Sequence, residues 1–268
     1  MKVGVNTYSF LWTENLEETV KILADNGIKS VEFLVSPPHF YLSDYKPGMY
    51  SKINKIMEAY EMEALTMNIP GLDINMASPF PEMREMAVKL YKKTIDIGRE
   101  LNCKMVLLAP GKRHPLLPPD FTYINGLARD SVMRVLEYVS HTEMILGVET
   151  LPNIFLDKAS DLKRFVDDIG SDQVKICFDA ANVFMQEDPA QAIHVVKDKL
   201  CLVHVSDTKK AKWEHNVIGT GEVDFTSFGQ ALRDIRYDGD LVLEVISPVG
   251  IHGILDCIAQ LQKKGWCL

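Results

Sequence analysis

Four acidic or imidazole side chains stand in comparable positions on successive apolar segments in the second half of the chain. Glu149, Asp179, His204 and Glu244 each lie within, or at the end of, a short strand-like run rich in valine, leucine and isoleucine. A charged group in an apolar strand is costly unless it is paired or bound to a metal ion. This repetition favours one convergent site, although each acid could instead pair separately with a lysine or cap a loop.

The types of these four side chains indicate which ligand they would hold. Three carboxylates gathered without a cation would repel each other and raise one another's pKa. Oxygen ligands favour hard cations, and one imidazole shifts the preference toward Mn, Co or Zn. We therefore expect one divalent metal ion, Mn, Co, Mg or Zn, bound by Glu149, Asp179, His204 and Glu244.

The elements that would position these residues follow from the hydrophobic pattern, in which short β-branched runs alternate with longer amphipathic ones. Strands are predicted at 3–6, 30–34, 64–67, 105–109, 145–150, 174–179, 202–205 and 241–245. Helices are predicted at 16–23, 81–101, 121–138, 160–168, 189–197, 225–235 and 251–263. Asp157 or Ser160, and Asp224, are the expected N-caps of two of these helices.

Eight strands separated by helices in 268 residues predict an α/β fold, a closed (β/α)8 TIM barrel forming a single domain over 1–268. The alternative, an open doubly wound sheet, would call for a glycine-rich turn after the first strand, and residues 6–10 contain no glycine. Active sites of such barrels lie at the carboxyl ends of the strands. The four candidate ligands fall on the last four strands, so they would meet across one half of the barrel mouth.

The composition of the chain limits the classes of binding partner and the cellular location that can be expected. The formal net charge is -8, which argues against a general nucleic-acid binder because such proteins usually carry a basic face. Five cysteines without a pairing motif fit a reduced, cytoplasmic location. The first residues become polar too soon for a signal peptide, and no apolar run approaches the roughly 20 residues of a membrane helix.

Several motifs together resemble the sugar phosphate isomerase/epimerase superfamily, which shares the xylose isomerase-like TIM barrel, also called the AP endonuclease family 2 fold. The matching segments are 4–10, 27–32, 147–149, 178–182, 204–207 and 219–225. They are spread over nearly the whole chain. The resemblance implies that Glu149, Asp179, His204 and Glu244 hold one metal ion, as their counterparts do in members that isomerise or epimerise sugars.

The same fold also includes endonuclease IV, a DNA-repair enzyme with three zinc ions. Where that family places further metal-binding residues, this chain has Ala109, Asn182 and Trp213, and only His215 is retained. Alanine and tryptophan side chains do not bind zinc. A trinuclear centre and a nucleic-acid substrate are therefore not expected.

Six further residues are expected to contact the substrate: Asn6, Glu32, Asn68, Asn182, Lys210 and His215. A structural pairing inside the barrel is the alternative for Glu32, and plain packing is the alternative for Asn6. Many ketohexose epimerases of the family carry histidine at the place of Asn182, so the substrate here could differ. The basic segment 112–114 could attract an anionic substrate or form a solvated loop.

The resemblance and the paired glutamates predict an isomerase acting on a sugar or sugar phosphate. A divalent ion would stabilise the enediolate that forms when a proton leaves the carbon next to a carbonyl, with Glu149 and Glu244 as base and acid on opposite faces. The alternatives are an inosose-type dehydratase, an endonuclease IV-like phosphodiesterase, or a barrel that binds a sugar without turnover. By the same resemblance we expect a homo-oligomer, and from its charge and hydropathy we expect the chain to contact neither nucleic acid nor membrane.

Overall fold

A computed structural model describes residues 1–71, 73–152 and 154–268. Its centre is a closed barrel of eight parallel strands in the order β1-β10-β7-β6-β5-β4-β3-β2. The barrel strands are β1 (Lys2–Asn6), β2 (Ser30–Leu34), β3 (Glu63–Asn68), β4 (Met105–Leu108), β5 (Ile145–Glu149), β6 (Val174–Asp179), β7 (Leu200–Val205) and β10 (Asp240–Leu243). This closure confirms the predicted (β/α)8 TIM barrel and excludes the open doubly wound sheet.

Helices connect the strands and cover the outside of the barrel. They are α1 (Leu16–Asp25), α2 (Ser51–Ala59), α3 (Pro81–Glu100), α4 (Phe121–Val139), α5 (Ala159–Ile169), α6 (Ala180–Phe184), α7 (Pro189–Val196), α8 (Phe225–Asp234) and α9 (Gly250–Lys263). Every predicted helix is present. Among the described residues, the structure adds α2, α6, a 3-10 helix (Thr7–Phe10) and an antiparallel hairpin, β8 (Asp207–Lys209) and β9 (Lys212–Asn216).

The predicted helix caps have different outcomes. The Asp224 carboxylate accepts hydrogen bonds from the backbone N–H groups of Thr226 and Ser227, which confirms it as the N-cap of α8. Asp157 or Ser160 was the predicted N-cap of the helix that follows β5, and this prediction is wrong. Lys158 occupies the N-cap position of α5, and no side chain makes the capping hydrogen bond there.

The alternation of side chains along the barrel strands positions the site. Residues two apart on a strand face the same side of the sheet. The residues two positions before the candidate ligands therefore also face the barrel interior. They are Gly147, Cys177, Leu202 and Val242. The last three pack with Leu65, Met105 and Leu107 in a buried interior cluster, distinct from the larger core between strands and helices. The candidate ligands therefore stand directly above an apolar layer.

Gly147 shows how closely this layer is packed. A Cβ atom added to Gly147 would lie 2.8 Å from Leu107 Cδ2 and 3.3 Å from Cys201 Sγ. A side chain there would force the end of Leu107 to move, so glycine lets the layer below Glu149 pack closely.

Two smaller observations bear on the sequence expectations. No helix in the described part of the chain is long and apolar enough to cross a membrane. All five cysteines are free thiols, and only Cys267 is exposed.

Candidate metal centre and cavity

Glu149, Asp179, His204 and Glu244 converge at the carboxyl ends of four neighbouring barrel strands. These four residues are called the cluster below. Each offers one ligand atom, and these atoms all lie within 4.8 Å of one another. The strand register contributes to this, because Asp179 on β6 pairs directly with His204 on β7. Asp179 and His204 are fully buried, and Glu149 and Glu244 are 7% and 4% exposed.

The orientation of Asp179 follows from the helix that it begins. Its Oδ1 accepts a hydrogen bond of 2.7 Å from the Asn182 backbone N–H, which caps α6. Its own N–H donates to Thr150 Oγ1 at 2.8 Å. With the backbone and Oδ1 fixed, Oδ2 is directed into the cluster and has no hydrogen-bond partner.

His204 presents a second buried atom without a partner. Its Nδ1 lies 3.4 Å from Glu149 Oε1, 3.5 Å from Glu244 Oε2 and 3.7 Å from Asp179 Oδ2, yet it makes no hydrogen bond. Buried polar atoms are nearly always satisfied, and an orphan calls for an explanation such as an ion. Asp179 Oδ2 and His204 Nδ1, two potential metal ligands without partners, face two further carboxylates. This arrangement fits a divalent cation of the kind the sequence predicts.

Glu32 holds the other side of the His204 ring. Glu32 Oε2 lies 3.0 Å from His204 Nε2, and the Glu32 carboxylate also accepts hydrogen bonds from Asn6 Nδ2, Thr66 Oγ1 and Asn68 Nδ2. Burial acts to raise the pKa of Glu32, but His204 and these donors hold it below its ordinary value. An ionised Glu32 keeps the proton on Nε2, so Nδ1 is the ring nitrogen that can bind a metal ion. Nearby groups, among them Glu32 and Glu244, raise the pKa of His204 against its burial, so a metal ion would have to displace a proton from Nδ1.

Burial and mutual repulsion raise the pKa values of the carboxylates in the cluster. Burial, opposed in part by His215 and reinforced by Glu244, raises the pKa of Asp179 to about 6. Burial together with Glu149 raises the pKa of Glu244 to about 7, and burial also raises the pKa of Glu149. Neighbouring negative charges in a buried site cost free energy that a divalent cation would offset.

A cavity of about 310 Å³ opens above the cluster. Glu149 and Glu244 form its base, and its polar wall is made by Asn68, Lys112, Arg113, Asn182 and His215. Its apolar wall includes Tyr8, Leu151, Ile154, Trp213 and Ile246. This size and this mixture of apolar wall and few polar groups suit one small molecule.

Asn182, Trp213 and His215 form a connected group on the cavity wall. Asn182 Oδ1 accepts a hydrogen bond from Trp213 Nε1 at 2.8 Å and lies 3.1 Å from His215 Nε2. Ser206 Oγ lies 3.0 Å from His215 Nδ1, so the hydroxyl donates a hydrogen bond to this nitrogen when Nε2 carries the ring proton. Burial lowers the pKa of His215, which favours this neutral ring. Because both donors use Oδ1, the Asn182 amide nitrogen remains to donate toward a ligand.

The six residues expected to contact substrate fall into two groups. Asn68, Asn182 and His215 line the cavity. Asn6 and Glu32 are fully buried beneath it and contact the cluster instead, so the structural pairing of Glu32 replaces a substrate contact. Lys210 is also absent from the lining, because its Nζ donates to Phe184 O at 2.6 Å and lies over the Phe184 ring.

Asp207 lies in one of the motifs that carry the family resemblance, but it was not identified from sequence as a functional residue. Its side chain holds the loop next to the site. Its Oδ1 accepts from Thr208 N and Val223 N, and its Oδ2 accepts from Gly219 N. A Cβ added to Gly221 would lie 2.3 Å from Asp207 Oδ1 and from Thr208 O. The aspartate and the glycine thus join the loop before α8 to the hairpin that carries Trp213 and His215.

Comparison with known proteins agrees with this architecture. A family model described as the xylose isomerase-like TIM barrel matches residues 20–261. The chain belongs to this family. The match covers most of the barrel, including all four candidate ligands.

Named relatives of the chain are sugar epimerases. It is 22% identical to fructoselysine 3-epimerase of Shigella flexneri over 239 residues, covering 87% of this chain and 86% of that enzyme. It is 25% identical to D-psicose 3-epimerase of Ruminiclostridium cellulolyticum over 267 residues, covering 93% of this chain and 85% of that enzyme. These relatives confirm the predicted enzyme class, an isomerase.

A solved structure shows how closely the fold is shared. The crystal structure of a D-tagatose 3-epimerase-like protein superposes with a TM-score of 0.87 at 23% identity. The superposition covers 98% of this chain and 97% of that one. The barrel and its connections are therefore common to both proteins.

Proposed function

We propose that the protein is a metal-dependent sugar epimerase that exchanges a proton at the carbon next to the carbonyl of a keto sugar. The observation that carries this proposal is the pair of glutamates, Glu149 and Glu244, at the base of a sugar-sized cavity, beside the orphaned atoms of Asp179 and His204. The kinship with sugar 3-epimerases supports the same reaction.

Glu149, Asp179, His204 and Glu244 would hold one divalent ion, Mn, Co, Mg or Zn. When bound, such an ion acts as a Lewis acid and stabilises negative charge that develops on oxygen in the transition state. Glu32 and Asn6 support the ligands from below and keep the imidazole in one orientation.

Proton transfer falls to the two glutamates. Glu149 ends β5, and Glu244 follows β10, so the two carboxylates approach the cavity base from different strands. Inverting a stereocentre requires that the proton leave one face and return to the other, which two separated carboxylates can do. Burial raises the pKa of both glutamates in the metal-free site, and a bound cation would lower it again.

The remaining polar groups of the wall orient the sugar. The Asn182 amide nitrogen can donate to a hydroxyl, because its oxygen already accepts from Trp213 and His215. Burial and the nearby Glu244 raise the pKa of Tyr8, so its phenol remains protonated and can donate as well. The ring of Trp213 offers an apolar face for the sugar.

The deciding experiment measures proton exchange. The protein, supplied with Mn²⁺, is incubated in heavy water with a panel of ketoses, ketose phosphates and inososes, and the products are identified by NMR. We expect deuterium at the carbon next to the carbonyl together with the epimer. The variants Glu149→Gln and Glu244→Gln should each lose about 10²- to 10⁴-fold in rate, the usual contribution of a general acid or base.

Glu85→Gln is the matched control, because Glu85 is an exposed residue of α3 that pairs with Arg134. Full activity in both active-site variants would exclude the glutamates from the chemistry. Loss of water from an inosose, with no epimer from any ketose, would assign the dehydratase instead. No observation favours the endonuclease, because Ala109 and Trp213 line the cavity where its additional metal ligands would be needed.

A further inference from the structure

We propose that the site takes keto sugars that carry an anionic group, a phosphate or a carboxylate, at the end remote from the carbonyl. This inference rests on the proposed function, because it specifies the substrate of the same cavity. The groups that would receive the anion are Lys112 and Arg113, which lie on the connection between β4 and α4 and line the cavity wall.

The first argument is the separation of charge within the cavity. Among the described residues that line it, the acids are Glu149 and Glu244, both at the base, and the fully charged bases are Lys112 and Arg113. The chain as a whole carries a net charge of -8, so an adjacent basic pair in this wall does not reflect a generally basic surface. A ligand with one polar, metal-binding end and one anionic end matches this arrangement.

The barrel order gives the second argument. Starting at β10, the strands run β10-β7-β6-β5-β4, so β4 is four steps away in a ring of eight and stands opposite β10. Glu244 and the Lys112–Arg113 pair therefore approach the mouth from opposite sides. Leu151, Ile154 and Trp213 contribute an uncharged wall to the same cavity. An extended ligand can thus reach from Glu244 to the basic pair.

The backbone of Lys112 is held in place before any ligand arrives, while the Arg113 side chain is exposed. Lys112 N donates to Asn75 Oδ1 at 2.8 Å, and Asn75 Nδ2 donates back to Lys112 O at 3.0 Å. Gly111 has a φ of 115°, and a Cβ added there would lie 2.6 Å from Ala77 Cβ. A segment fixed in this way loses little conformational entropy on binding, which favours affinity.

The chemistry of the two side chains agrees with an anion. Partial burial lowers the pKa of Lys112, against the raising effect of the Asp73 carboxylate, so its ammonium has lost part of its hydration. An arginine guanidinium binds phosphate or carboxylate through two parallel hydrogen bonds, and a lysine adds a point charge. Together they suit a dianionic phosphate ester or a terminal carboxylate.

The test compares three probes that differ only at carbon 6: fructose, fructose 6-phosphate and fructuronate. The Mn²⁺-supplied protein is assayed for kcat/KM by deuterium incorporation, and binding of each probe is measured separately by calorimetry at constant ionic strength. The variant Lys112→Met/Arg113→Gln is compared with Lys263→Gln/Lys264→Gln. The latter removes the same charge at the end of α9, on the opposite face of the barrel.

We expect at least a tenfold higher kcat/KM for one anionic probe than for fructose. The Lys112→Met/Arg113→Gln variant should reduce this ratio at least fivefold, mainly through KM, and the control should preserve it. The better of the two anionic probes identifies the group as phosphate or carboxylate.

The outcomes separate this inference from the proposed function. If fructose is epimerised as well as or better than both anionic probes, or if the variant affects all probes equally, the anion subsite is wrong and the epimerase stands. If no probe exchanges a proton but an anionic probe binds in a manner that depends on Lys112 and Arg113, the subsite stands and the epimerase fails. Absence of both binding and exchange overturns both.

Discussion

Glu32 Oε2 and His204 Nε2 lie 3.0 Å apart inside the barrel, although 172 positions separate them in the sequence. Both side chains are fully buried. The contact settles which ring nitrogen of His204 faces the cluster, because Glu32 can accept only from a protonated Nε2. The geometry of the candidate metal centre therefore depends on a carboxylate that does not contact the metal position itself.

The first prediction concerns this contact. Glu32→Gln removes the charge that fixes the His204 tautomer, and we expect metal affinity to fall about 10- to 100-fold, as for other residues that orient a metal-binding histidine. Titration with Co²⁺, followed by its visible absorption, measures the change. Glu63→Gln serves as the control, because Glu63 pairs with Lys104 at the other end of the barrel. Unchanged Co²⁺ affinity in Glu32→Gln would show that His204 needs no such support.

The second prediction is a pH dependence of metal binding. The metal-free folded protein holds protons on Glu244 below a pH of about 7 and on Asp179 below about 6. A cation must displace these protons, because metal ligands bind in their deprotonated form. The pKa of His204 is raised as well, so its proton must also leave. Mn²⁺ affinity should therefore fall as the pH decreases from 8 to 5.5. Calorimetry in buffers of different ionisation enthalpy should detect proton release on binding, and an affinity that is constant with pH would contradict the prediction.

The third prediction concerns the Asn182 amide. Asn182→Ala removes both the shared acceptor of Trp213 and His215 and the amide donor, so we expect KM to rise about tenfold, the equivalent of roughly 1.4 kcal/mol. Asn182→Asp keeps the acceptor but lacks the donor, and a similar rise in KM there would assign the effect to the donor. Asn26→Ala, at the end of α1, is the control. If KM is unchanged in both variants, Asn182 does not contact the sugar.

The fourth prediction concerns the loop that Asp207 organises. Its carboxylate accepts three backbone hydrogen bonds, so Asp207→Ala should lower the free energy of unfolding by about 3 kcal/mol. Gly221→Ala should destabilise the same loop, since the new methyl group would meet backbone and carboxylate oxygen atoms. Urea denaturation measures both, with the exposed Asp234→Ala as a control. A stability equal to that of the control would show that the loop holds without Asp207.

The sequence predicted the barrel because its strands and helices follow strong hydrophobic periods. The short helix α2 was missed because it buries only Ile53 and Met57 and no capping side chain marks its start. The hairpin β8–β9 was missed because its residues are mostly polar and show no apolar alternation. The hairpin lies outside the regular repeat of strand and helix, whereas α2 is the helix of that repeat between β2 and β3.

The four candidate ligands could be located from sequence because acids and a histidine in apolar strands are conspicuous. The partner of Glu32 could not, since that contact joins β2 to β7 across the barrel interior. The position of Lys210 depends on the conformation of a hairpin and on its contact with Phe184, and local sequence does not specify either. The cytoplasmic location, the single domain over 1–268 and the homo-oligomer stay predictions.

The apolar layer of Leu65, Met105, Leu107, Leu202 and Val242 lies directly under the cluster and closes the floor of the site. A sugar that enters past Trp213 has no exit through the barrel interior, so it leaves by the opening through which it entered. Two epimers of equal size would then compete for the same opening. Accumulated product should therefore slow the forward reaction by competition for the cavity, while the final ratio of epimers would depend only on their own relative stabilities.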